Sequence, residues 1–242
     1  MKFEPLVSII ITSYNYSKYI EKAIDSCIEQ DYLNKEIIII DDGSTDETSK
    51  ILDKYKNKVS VYLQNNQGLE KTANYGINIS KGDYWVRLDA DDYLDKNFLT
   101  EIVKEINKNF CFYYSNYKIV DSKNDILQNI KLPSFNKKEI LSRGDFLASG
   151  TLVRKLSSFE VGLYNNNVYN CGLENYEFII KLILNNNKGK HIKKNLWNYR
   201  QHNKSLSFKK RNEIIKFGYR LFKNYNLGNF KTNLNHPYKL KV

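Results

Sequence analysis

Asp89, Asp91 and Asp92 crowd three carboxylates into four residues, and like charges so close raise one another's pKa unless a cation lies between them. A hard divalent ion resolves that conflict, because Mg²⁺ and Mn²⁺ prefer oxygen ligands and commonly take one or two carboxylates together with substrate phosphates. A second acidic pair, Asp41-Asp42, stands before Gly43-Ser44, where a carboxylate can accept hydrogen bonds from a base N–H or a ribose hydroxyl. Both groups also have a plainer reading. Asp89 to Asp92 can be a solvated turn ahead of the helix near Leu94 to Leu99, and Asp41-Asp42 can complement a helix dipole.

The elements around these residues decide between the two readings. Val7 to Thr12 is a β-branched run that reads as a fully buried strand, followed by a helix with Ile20, Ala23, Ile24, Cys27 and Ile28 on one stripe and Ser17 as its cap. Glu36 to Ile40 is a second buried strand; Ser44 is then expected to cap a second helix, with Glu47 completing a capping box. Val59 to Leu63, Glu70 to Ile79 and Tyr84 to Leu88 continue the alternation as strand, helix and strand. Such alternation predicts an α/β protein with a doubly wound, mostly parallel sheet, in which ligands lie beyond the carboxyl ends of the strands. Ser13-Tyr14-Asn15, Asp41-Asp42 and Asp89 to Asp92 all fall at those ends.

Beyond residue 95 the pattern loosens. The expected elements are a helix at Leu99 to Ile106, strands within Phe110 to Val120, a short helix at Lys137 to Arg143 and a strand at Ser149 to Arg154. A helix at Glu174 to Leu184, a strand at His191 to Arg200 and an amphipathic helix at Asn212 to Tyr225 complete the set.

Cys27, Cys111 and Cys171 are dispersed and lack metal-ligand spacing, so they read as reduced structural thiols. With 242 residues, 41% of them hydrophobic, one domain is expected, and neither a membrane-length apolar run nor a signal peptide is visible, which predicts a cytoplasmic protein. Charge is unevenly spread: residues 185–242 carry 15 Lys and Arg against one acid, whereas residues 1–184 carry 23 against 26. A basic end of this kind suits nucleic acid, an anionic membrane surface or diphosphate groups, and equally a solvated face.

The succession VSIIITSYN, IIIIDDGSTDET and NNQGLEKTANYGINISKGDYWVRLDADD closely resembles the nucleotide-binding half of family 2 glycosyltransferases with the GT-A fold. The resemblance implies a Rossmann-like sheet flanked by helices, divided into a nucleotide-sugar half (residues 1–95), an acceptor-side half (96–207) and a basic helical tail (208–242). It further implies transfer from a nucleotide sugar, with a UDP-sugar expected, to a hydroxyl of a glycan, lipid-linked or other acceptor, with inversion and with Mn²⁺ or Mg²⁺ bound. By the same resemblance Ser13, Tyr14, Asn15 and Asp42 line the base and ribose pocket, Asp89 approaches ribose or metal, and Asp91 ligates the metal. Ala73 stands where the family often has an Arg that contacts the base, and Lys71 is the expected substitute.

The family's Glu-Asp pair, whose Asp is usually the general base, reads Glu174-Asn175 here; an amide cannot accept the proton, so the base is expected at Glu174, with Glu177 in reserve. Trp197 to Ser207 resembles a late Y-R-x-H-x-x-S-x-S stretch, implying that Arg200 and Ser205 contact the donor and that His202 adds a metal ligand. Two other classes compete. A nucleotidyltransferase would show a glycine-rich phosphate loop, which Ser13 to Ser17 lacks, and a weakened relative or binding module would dispense with the base. Peripheral membrane contact through the basic tail is expected in preference to nucleic acid.

Overall fold

A computed structural model describes residues 4–142, 149–203 and 205–232. The first half is the expected alternation: β1 (Val7–Ser13), α1 (Ile20–Ile28), β2 (Lys35–Asp41), α2 (Thr48–Asp53), β3 (Ser60–Leu63), α3 (Leu69–Ile79) and β4 (Tyr84–Asp89). β1 is buried along its whole length because helices cover both faces of a parallel strand, which is why it reads as one unbroken apolar run. β5 (Tyr93–Leu94), α4 (Phe98–Val103), β6 (Phe112–Val120), β7 (Ile126–Ile130) and α5 (Lys137–Ser142) follow. The chain continues through β8 (Leu152–Arg154), α6 (Lys155–Glu160), α7 (Glu174–Leu184), β9 (Gly189–Arg200), α8 (Leu206–Lys209) and α9 (Arg211–Asn224). Arg143 and His236 lie outside the described residues.

The strands form one sheet in the order β3-β2-β1-β4-β8-β6-β9-β5, with β7 paired to β6. Pairing is parallel from β3 to β4, turns antiparallel at β8, and becomes parallel again between β6 and β9. The carboxyl ends of β1, β2 and β4 therefore lie side by side: Ser13 pairs with Asp41, and Thr12 with Asp89. β9 brings its last residues to the same neighbourhood, since Leu94 and Tyr93 of β5 pair with Trp197 and Asn198. Residues beyond 207 join the common core through Ile214, Phe217, Leu221 and Phe222 of α9.

Two caps differ from expectation. α1 begins at Ile20 with Tyr19 as its flanking residue and no side-chain cap, while the backbone N–H of Ser17 donates to Asp46 at 3.0 Å. α2 begins at Thr48, four residues beyond Ser44, and the first-turn N–H of Thr48 is taken by Asp46 at 3.0 Å. Ser44 instead donates its hydroxyl to Asp41 and accepts the N–H of Asn15 at 2.8 Å. The Asp46 carboxylate outcompetes a hydroxyl here because a charged acceptor makes the stronger bond to backbone N–H. β5 and β7 were not expected: the first has only two residues, and the second is mostly exposed.

Candidate active site

The acidic turn grows directly out of β4. The N–H of Asp92 closes it on the carbonyl of Asp89 at 3.0 Å, and Ala90 points into the core, so Asp91 and Asp92 are held in fixed, largely buried positions. Burial first, then Asp91 and Asp89, pushes Asp92 well above the ordinary carboxylate range, while Arg200 pulls the other way. Asp89 is raised as well, by burial and Asp91 against the opposing pull of Arg87. One buried oxygen of Asp92 has no protein partner.

β9 delivers the rest of this end. His202 Nε2 lies 2.9 Å from Asp91 Oδ2, and its ring rests 4.8 Å from that of Tyr19. Arg200 is 2% exposed, and its donors go to protein: Nε to the Asp91 carbonyl at 2.7 Å, one terminal nitrogen to the Asp121 carbonyl at 2.8 Å, the other to Asn124 at 2.8 Å. Its backbone N–H donates to Asp92 at 2.9 Å, and its guanidinium lies 4.8 Å from the Tyr19 ring. The geometry thus places Arg200 beneath the acidic turn as its brace, with Nε and both terminal nitrogens each bonded to protein. Ser205 turns its hydroxyl back to the carbonyl of His202 at 2.9 Å and so shapes the loop that carries the imidazole.

At the other end, the N–H of Asp42 ties β2 to the carbonyl of Ser13 at 2.8 Å. The Asp42 carboxylate accepts Gln64 Nε2 at 2.7 Å and the N–H groups of Gln67 and Gly68, each at 2.9 Å, and thereby fixes the loop into α3. Asn15, with φ of 61°, accepts the Thr45 N–H at 2.7 Å and pins the β1 loop to the β2 loop. Tyr14 is 45% exposed, and Lys71 is exposed on the first turn of α3. The buried hydroxyls of Thr12 and Ser13, at the carboxyl end of β1, have no protein partner.

Between the two ends lies a group that the sequence reading missed. Arg87, 3% exposed in the middle of β4, reaches Asp89 at 3.2 Å and Glu174 at 2.8 Å. A charged residue inside an otherwise apolar strand was the available sign of it. Glu174 is buried and raised, with burial the first cause and Arg87 opposing; its second oxygen has no protein partner. Glu177 is one turn away, accepting Tyr225 OH at 3.2 Å and Asn165 Nδ2 at 3.1 Å, so it holds the connection to α9. Asn175 accepts the Tyr164 hydroxyl at 2.8 Å, and with Arg87 and Tyr164 it lines an internal cavity of about 10 Å³.

The expected trio of metal ligands is only partly gathered: Asp91 and His202 meet, whereas Asp89 turns to Arg87. Among the described residues, three ligand atoms within 4.8 Å of one another occur at Glu70, Cys171 and Glu174. That group is largely engaged within the protein, with the second oxygen of Glu174 left over. Glu70 accepts the N–H groups of Asn170 and Cys171, each at 2.8 Å, Glu174 holds Arg87, and burial pushes the Cys171 thiol far up, so it stays protonated. The unpartnered oxygen of Asp92, the raised carboxylates and the adjoining imidazole make the turn after β4 the place that fits a hard divalent cation.

The model of the family described as glycosyl transferase family 2 matches residues 8–161. The chain is 31% identical over 222 residues to chondroitin synthase of Escherichia coli, covering 87% of this chain and 31% of that protein. Its structure superposes on S. aureus TarS 1–349 in complex with UDP-GlcNAc with a TM-score of 0.71 at 21% identity, covering 90% of this chain and 66% of the other. A mannosyltransferase from Pyrobaculum calidifontis in complex with GDP-Man and Mn²⁺ superposes with a TM-score of 0.73 at 15% identity, covering 98% and 68%. The chain spans less than half the length of the curated relatives it matches, from 19% to 45% among the most similar.

Proposed function

The chain belongs to glycosyl transferase family 2 and carries the GT-A fold, and from that premise we propose that it transfers a sugar from a nucleoside diphosphate sugar to an acceptor hydroxyl with inversion. The observation that carries the reading is the pairing of Asp91 with His202 on the sheet edge that also bears Asp42, so that a diphosphate end and a nucleoside end share one face. A UDP-sugar is the proposed donor, supported by a structural neighbour that holds UDP-GlcNAc. A polysaccharide or other glycoconjugate is the proposed product, supported by relatives named as hyaluronan and chondroitin synthases.

In this proposal Tyr14 and the hydroxyls of Thr12 and Ser13 meet the base and ribose, Asp42 holds the loop that closes over them, and Lys71 stands at the entrance. Mn²⁺ or Mg²⁺ held by Asp91 and His202, with Asp89 beside them, supplies positive charge against the donor's phosphates. Arg200 acts by fixing the turn that presents Asp91. Glu174 is the general base: it takes the proton of the acceptor hydroxyl as that oxygen bonds to the anomeric carbon and the bond from that carbon to the diphosphate breaks. Its raised pKa suits it to this role better than an ordinary carboxylate, and it is linked through Arg87 to Asp89, whereas Glu177 is engaged with Tyr225.

Release of UDP from UDP-sugars in the presence of Mn²⁺, compared between wild type and Asp91→Ala, tests the proposal. Wild-type release that the substitution abolishes, with folding intact by circular dichroism, is expected; equal release by both proteins would sink the metal assignment. A second reading rests on Asn175, an amide where relatives of the resembled pattern carry the base: a nucleotide-sugar-binding protein with weakened transfer. Asn175→Asp distinguishes the two, because a large gain in transfer supports the weakened descendant, and an unchanged rate supports Glu174.

A further inference from the structure

α9 divides cleanly along its length. Ile214, Phe217, Gly218, Leu221 and Phe222 face the core, and Gly218 is required there because a Cβ would meet the Phe230 ring at 2.4 Å. The opposite stripe, Asn212, Lys216, Tyr219, Arg220 and Lys223, is exposed and follows the spacing of one helical face. No carboxylate among the described residues pairs with Lys216, Arg220 or Lys223; the acid Glu213 lies 3.8 Å from Lys210. The short helix before it adds Lys209 and Phe208, which at 66% is the most exposed phenylalanine among the described residues.

We propose that this stripe is an electrostatic docking surface for an anionic lipid bilayer, which α9 meets side-on while its apolar face stays in the protein. Charge complementarity carries the inference: residues 205–232 contain seven Lys and Arg against one acid, on a segment beyond the 8–161 family match. No helix among the described residues is long and apolar enough to cross a membrane, so contact of this kind is adsorption through cations and headgroup-level aromatics. Nucleic acid fits less well. The stripe is the convex side of a single helix, where single-strand binders use grooves with free stacking platforms, and the Tyr219 ring is packed edge-on against Phe230 at 5.7 Å.

The test is flotation of the full chain with vesicles of phosphatidylglycerol and phosphatidylcholine, against phosphatidylcholine alone. Binding to the anionic vesicles only, released by raised NaCl, is expected. The triple variant Lys216→Glu, Arg220→Glu, Lys223→Glu should lose binding by roughly tenfold or more. UDP-sugar turnover on a soluble acceptor, or UDP binding, reports separately on folding and on the proposed activity, so failure of one reading leaves the other standing. If the reversed protein does not fold, the same loss is sought in Lys216→Gln, Lys223→Gln. Equal flotation with neutral vesicles, no flotation at all, undiminished flotation of a folded variant, or tighter binding to single-stranded RNA than to the anionic vesicles would each overturn the proposal.

Discussion

Asp92 is a carboxylate held by burial and by Asp91 and Asp89 well above its ordinary range. A folded-state pKa raised above the unfolded value means that the protonated form suits the fold, so this contribution to stability is present at low pH and is lost as the pH rises through the folded value. Asp92→Asn, which keeps the oxygen that accepts the Arg200 N–H, should therefore raise the melting temperature at neutral pH without metal, by about 2–4 °C per kcal/mol relieved. Melting scans with and without Mn²⁺ check this: the gain should shrink when Mn²⁺ is added, and a variant less stable at neutral pH in both conditions would contradict it. Glu174→Gln keeps size and a hydrogen-bonding group but removes basicity, so turnover should fall roughly a hundredfold or more while UDP affinity changes little. A near-wild-type rate would remove Glu174 from the role of base. Asp91 and His202 stood out in the sequence because carboxylate and imidazole types announce themselves, and the fold brings them to 2.9 Å; Arg87 did not, because its partner Glu174 lies 87 residues away.

At the scale of elements, the buried strands β1, β2 and β4 and the helices between them were readable because their apolar periods are set locally. β5 and β7 were not. β5 has two residues, too few to show a period, and β7 is mostly exposed; they are strands only because β9 and β6 pair with them, whereas β8 falls inside the expected run Ser149 to Arg154. The caps misled for a related reason: Ser44 and Asp46 are two acceptors within reach of one loop, and only the folded geometry selects the carboxylate. Gly68 joins β3 to α3 at φ of 88° and ψ of 161°, and a Cβ there would meet the Tyr169 ring at 2.5 Å. Gly68→Ala should destabilise by about 1–3 kcal/mol and weaken UDP binding, since the displaced N–H is one that Asp42 accepts. Calorimetry of UDP binding alongside thermal melting reads both, and unaltered affinity would separate this loop from the nucleoside end.

For the whole molecule, the two ends of the proposed donor site are closed by very different lengths of chain. Asp42 meets Gly68 across 26 residues, but Asp91 meets His202 across 111. Closing the longer loop costs more chain entropy and depends on β9 already lying beside β6. The nucleoside end should therefore assemble first during refolding and the cation end last. Pulse-labelled hydrogen exchange can time this, with the amide of Gly68 protected before that of Arg200, which donates to Asp92. A chain emerging from the ribosome would then have its Asp42 loop in place well before it could hold a metal ion, and binding of the nucleoside alone would be the earliest function the polypeptide acquires.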